Sequence, residues 1–189
     1  MVIFSTALQY LSIGFTHVVP YGFDHLLFIL SIFFLNSNLK SKAIQCSVFT
    51  LAHCLSLGLV VSGLIFPNNN YIEPLIAFSI LFISIENIIQ TKVNPHRLLI
   101  LFGFGLIHGM GFATALKEIG IPKDLFFTSL LSFNIGVELG QITVLLAVYF
   151  LISKWFAHKT WYKERVVYPI SCLIGCVALY WTIERILIL

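Results

Sequence analysis

His17-Val-Val-Pro20-Tyr-Gly22-Phe-Asp24-His25-Leu-Leu-Phe28 sets two histidines and an aspartate inside an otherwise apolar run, which continues to Leu35 without another charged residue. The run reads as membrane sequence. There an unpaired aspartate at a helix centre costs roughly 2.5–3.5 kcal/mol, so ionisable groups at that depth point to a function. Pro20 and Gly22 interrupt the run between His17 and Asp24. A continuous helix over the whole first apolar unit would be about 50 Å long, against a hydrocarbon core of about 30 Å. The stretch therefore predicts a broken N-terminal helix. Its first piece ends near Val19, lying in the interface or entering part-way, and its second runs from Phe23 to Leu35. The break lets His17 fold back toward Asp24 and His25, and irregular backbone is tolerated at such depth only where protein or a water-filled cavity satisfies it. The competing interpretation is an Asp24 helix cap beside interfacial histidines bonded to lipid headgroups.

Outward from that stretch, the 189-residue chain is 59% hydrophobic and 10% charged, with a mean hydropathy of +0.97. A soluble domain carries about 25% charged residues, so the composition indicates an all-α, polytopic membrane helical bundle. About six transmembrane helices are expected, in one integral membrane domain over residues 1–189. After the broken first unit, spans follow at about 42–65, 72–91, 97–117, 125–153 and 165–188, joined by polar connections at 36–42, 67–70, 91–95, 120–124 and 154–165. The formal charge of +3 and the lack of a basic, aromatic-interleaved stripe exclude nucleic acid as an expected partner. The four cysteines match no zinc-ribbon or redox spacing. No basic n-region or small-residue cleavage site precedes the motif, so no cleavable leader is expected.

Basic residues give an orientation. Lys40, Lys42, Lys92, Arg97, Lys154, Lys159, Lys163 and Arg165 fall on alternate loops, against Lys117, Lys123 and Arg185 on the other side. The positive-inside rule puts the larger set in the cytoplasm and both termini outside. On that topology His17, Asp24 and His25 lie toward the external face, His53, His108 and Glu138 near mid-membrane, and Glu86 deeper toward the cytoplasm. Glu184-Arg185 reads as an interfacial ion pair of little weight.

His53, Glu86, His108 and Glu138 repeat the anomaly of the first motif in four further apolar segments. Imidazole with carboxylate suits divalent transition metals, so His17, Asp24, His25, His53, Glu86, His108 and Glu138 are the candidate metal ligands. Asn87, Asn134 and Gln141 are supporting polar groups. Asn134, Glu138 and Gln141 share one helical face at i, i+4 and i+7, while Gly136 and Gly140 leave room for a neighbouring helix, as Gly105 and Gly109 do around His108. For Asn134 and Gln141, interhelical hydrogen bonding accounts for the pattern as well as ligation does.

Together these residues resemble the HupE/UreJ family of membrane proteins. The resemblance runs through Gly14-Phe-Thr-His17-Val-Val-Pro20-Tyr-Gly22-Phe-Asp24-His25, Phe49-Thr50-Leu-Ala-His53, Glu86-Asn87, Phe104-Gly105-Leu-Ile-His108-Gly109-Met-Gly111 and Phe133-Asn134-Ile-Gly136-Val-Glu138-Leu-Gly140-Gln141. These motifs lie within residues 11–150, and the last span matches none. The resemblance implies a nickel or cobalt permease of a bacterial inner membrane, associated with hydrogenase or urease maturation.

The expected function is therefore a secondary permease rather than an enzyme, for a divalent transition metal ion, nickel, cobalt or zinc, as substrate or bound ion. His17, Asp24 and His25 would capture the ion outside, His53, His108 and Glu138 would receive it, and Glu86 would form the inner exit. No nucleotide-binding loop is present, so a gradient or a partner subunit would supply energy; a homo-oligomer in the lipid bilayer is the other expected assembly. The alternative is an intramembrane metal-dependent (zinc) hydrolase using the same cluster, which needs its ligands at one depth. Haem held between His53 and His108 is a third reading.

Overall fold

The computed structural model describes residues 2–35, 38–90 and 96–188. The predicted connection at 91–95, with Lys92, and the first two residues of that at 36–42 lie outside them. The described residues form seven helices: α1 (Val2–Val18), α2 (Phe23–Leu35), α3 (Leu39–Val61), α4 (Asn69–Ile89), α5 (Arg97–Ile119), α6 (Phe126–Phe156) and α7 (Lys163–Leu187). The last five are long and apolar enough to cross a membrane, and α1 with α2 makes a sixth when that bent pair counts as one span.

Local chemistry sets the ends. Asn38 accepts from the backbone N–H groups of Lys40 (3.0 Å) and Ser41 (3.5 Å), and Asn68 from that of Asn70 (3.0 Å). Both are N-caps, and they start α3 and α4 three residues ahead of the predicted 42 and 72. Past the end of α3, Gly63 has φ 78°, the left-handed conformation that favours glycine and closes a helix. Hydropathy alone carried this span to 65, because Leu64 and Ile65 are apolar although they lie beyond the helix.

The predicted break is present, and α1 and α2 meet at 67°. The Val19–Pro20 bond is cis. The turn satisfies its own backbone: the Val19 N–H donates to the Phe15 carbonyl (2.9 Å), that of Tyr21 to Thr16 (3.3 Å) and that of Leu26 to Gly22 (2.8 Å). Gly22 is required by close approach, since a Cβ there would overlap the carbonyl oxygen of His17.

Three helix pairs frame the bundle: α1 with α6, α3 with α5, and α4 with α7. Glycines bring the first two to backbone contact. Gly14 meets Phe133, Gly136 meets Leu11 and Phe15, and Gly140 meets Val18, so α1 runs parallel to α6. Gly105 and Gly109 abut Phe49 and the His53 carbonyl in the same way, making α5 parallel to α3. α1 thus lies along a membrane-crossing helix, where the sequence left it in the interface or part-way in. Tyr10 ties it to the α5–α6 connection by donating to the Gly120 carbonyl. α2 packs against α4 and α6, so the α1–α2 turn is held within the bundle.

Lys42 and Arg97, counted above as loop charges, are buried in the first turns of α3 and α5 at 1% and 0% exposure. Each has a specific host: the Lys42 Nζ sits 3.2 Å over the Phe33 ring, and Arg97 pairs with Glu86.

Candidate metal site

The break in the first unit delivers two histidines to the same place. His17 is in the last turn of α1 and His25 in the first turn of α2, with ring centroids 4.5 Å apart. His53 of α3 joins them, and one ring nitrogen from each of His17, His25 and His53 lies within 4.8 Å of the other two. Nitrogens around a tetrahedral ion stand about 3.3 Å apart, given metal–nitrogen bonds of about 2.0–2.1 Å, so modest ring rotations close that gap. The Nε2 atoms of all three are buried and find no hydrogen-bond partner among the described residues. Unsatisfied buried nitrogens are costly to leave so, and a shared cation would satisfy all three.

His108, from the middle of α5, sets its ring edge-on to His25 at 5.1 Å. Its Nε2 is 2.9 Å from the Ser79 hydroxyl, and its Nδ1 is buried without a partner. His53 is oriented by Asn134, whose Oδ1 is 3.3 Å from Nδ1 while its amide donates to the Leu130 carbonyl (2.8 Å). A partner on the other ring nitrogen fixes tautomer and direction, as is usual for metal-binding histidines. Phe112 lies against His17 at 3.8 Å, Phe49 against His108 at 5.0 Å, and Phe133 beside His53 at 6.2 Å. The histidines therefore share an aromatic-walled interior.

This gathering corrects the expected gradation of depth. His17 and His25 were placed toward the external face, apart from His53 and His108; the structure brings His17, His25 and His53 together and sets His108 against His25. The physical reason is the 67° turn, which ends α1 and begins α2 inside the bundle instead of at its surface.

A cavity of about 560 Å³ reaches the cluster, with His17, His25 and His108 at its inner end and Tyr21 and Phe23 at its rim. It opens at the end of the bundle where α4 begins and α7 finishes. Asp24 lies in this cavity and is held by Arg185, whose Nη2 donates to Oδ1 (3.1 Å) and Oδ2 (3.2 Å). Arg185 also donates to the Glu73 carbonyl (3.1 Å) and stands 3.4 Å from its carboxylate. Arg185 is thus no interfacial partner of Glu184, which instead accepts from the Tyr180 hydroxyl (3.0 Å).

The remaining candidates sit elsewhere. Glu86 pairs with Arg97, whose Nε donates to the Gln45 amide oxygen (2.8 Å). Asn87 donates to the Ser31 carbonyl (2.7 Å), linking α4 to α2. Glu138 accepts from the Ser47 hydroxyl (2.6 Å), and Gln141 from Thr50 (3.1 Å). With Asn134 on His53, the face predicted at 134, 138 and 141 is the polar seam between α6 and α3. Sequence reasoning passed over Ser79 and Glu73, and gave Arg185 no part in the site. A serine is unremarkable in an apolar helix, and charges near helix ends ordinarily meet solvent, so nothing local marked them.

A family model described as HupE / UreJ protein matches residues 2–185. No curated protein and no solved structure matches the chain.

Proposed function

The chain belongs to the HupE/UreJ family, and from that premise we propose that it is a secondary permease for a divalent transition metal ion, nickel first and cobalt next. The observation that carries this is the set of three imidazoles, His17, His25 and His53, drawn from three helices to within 4.8 Å of one another, two of them, His17 and His25, lining an open cavity. Neutral imidazole is the common ligand for such ions. A binding site beside a broken helix, inside the bilayer, is the arrangement that secondary transporters use.

In this reading the ion enters by the cavity, exchanges water for imidazole at the three histidines, and takes His108 as a further ligand when that ring leaves Ser79. Asn134 holds His53 in register. Asp24 attracts the ion at the mouth. Glu138 and Glu86, with Arg97, line the onward side. The cavity end faces outside under the positive-inside orientation, with both termini extracytoplasmic and the inner membrane of a bacterium as the location.

With the histidines at one level, depth no longer argues against a zinc hydrolase. That chemistry needs a free general base, and the carboxylates lining the cavity, Asp24 and Glu73, are both engaged by Arg185. The deciding experiment is Ni²⁺ uptake into proteoliposomes, with metal content measured on tag-free protein before and after dialysis. Exchangeable metal, together with flux that His53→Ala abolishes, is the expected result. Unchanged flux in that variant, or one dialysis-resistant metal per chain without flux, overturns the proposal.

A further inference from the structure

The cavity leading to the histidines carries a cation of its own at the mouth. Arg185, in the last turn of α7, bridges Asp24 of α2 and Glu73 of α4. The geometry points to Asp24 and Glu73 as an outer site for a divalent cation, occupied in the resting protein by the Arg185 guanidinium, which the incoming ion must displace. The inference rests on the metal-transport reading above.

Four observations support it. The carboxylates share one cavity with His25 and His108, buried rings that each keep a ring nitrogen without a partner there, so an ion released inward has donors waiting. Two carboxylates against one guanidinium leave the mouth with a net negative charge, which draws cations in. The side chains of Arg185, Asp24 and Glu73 are 22%, 28% and 44% exposed, where ion pairs are weak and exchangeable. Arg97–Glu86, at 0% and 9%, is the contrasting case of a pair locked in the interior. Finally, the displaced guanidinium has somewhere to go. Arg185 already lies 5.4 Å from the Trp181 ring, which also lines the cavity, so it can leave the carboxylates and keep a cation–π contact.

The device selects by charge. A monovalent ion gains little from replacing a guanidinium fork, whereas a divalent ion coordinated by both carboxylates gains on each. Arg185 is accordingly a positioning residue that sets which cations reach the imidazoles.

The test is stopped-flow Co²⁺ binding to the full chain in detergent at low ionic strength, followed by the visible absorption of the imidazole-bound ion. Arg185→Ala is expected to take up Co²⁺ about tenfold faster than the parent, the scale of electrostatic steering. Added millimolar guanidinium chloride should slow it again, and by more than the screening that potassium chloride of equal ionic strength produces. A purely structural arginine predicts no such rescue. Arg185→Lys, which keeps the charge without the fork, is expected to fall between the two and serves where the alanine variant does not fold. Parent-like rates in the folded variants, or guanidinium acting no differently from potassium, overturn the inference. Should the parent itself give no Co²⁺ spectrum, the metal reading fails first. A spectrum that His53→Ala removes, with rates indifferent to Arg185, leaves that reading standing and discards only this one.

Discussion

His53 shows what a single residue contributes and what it depends on. Its Nδ1 faces Asn134, and its Nε2 is free for an ion. Loss of such an outer partner costs about 10–100-fold in metal affinity. Asn134→Ala is therefore expected to weaken Ni²⁺ binding by that factor in titration calorimetry while leaving uptake measurable, whereas His53→Ala removes binding. Equal affinity in Asn134→Ala and the parent would show that His53 is oriented by its helix alone. The histidines were legible in the sequence because an ionisable ring in an apolar run is anomalous wherever it falls. Ser79 and Arg185 were not, since their significance lies wholly in what stands opposite them, 29 residues away in one case and 161 in the other.

Among the elements, the broken α1–α2 unit is the one on which the site depends. Pro20 and Gly22 announced the break, and hydropathy announced the flanking helices. The angle between them, and hence the meeting of His17 with His25 and His53, follows from close approaches that no periodicity encodes. Gly22→Ala tests this. Its methyl group would collide with the His17 carbonyl, so the turn must open and carry Asp24 and His25 away from His17. The expected outcome is a drop in metal affinity exceeding tenfold with the helices retained by circular dichroism. Gly136→Val, by contrast, strikes the α1 backbone. Overpacked contacts cost about 1–3 kcal/mol, so this variant should melt lower in detergent even without metal.

Across the whole molecule, the buried Arg97–Glu86 pair, which does not line the cavity, tests the stability of the bundle. Removing one member of a buried pair strands the other charge at about 3–5 kcal/mol. Glu86→Gln should thus lower the unfolding midpoint sharply, and the double variant Glu86→Leu with Arg97→Met should restore most of it; a double variant as unstable as the single would disprove pairing as the cause. Depth was the least legible property at this scale. Counting residues from loops assumes that each helix crosses whole, whereas α1 ends and α2 begins inside the bundle. The three helix pairs have a mechanical consequence. His17 belongs to the pair α1–α6, His53 to α3–α5, and His25 to α2, which packs against α4 and α6 without a glycine seam. An ion at the three imidazoles is therefore a cross-brace between two glycine-locked struts and a third held by side-chain contacts. Amide hydrogen exchange should slow in α2 and at the end of α1 when Ni²⁺ is added, and hardly at all along the glycine-locked contacts, which are already rigid.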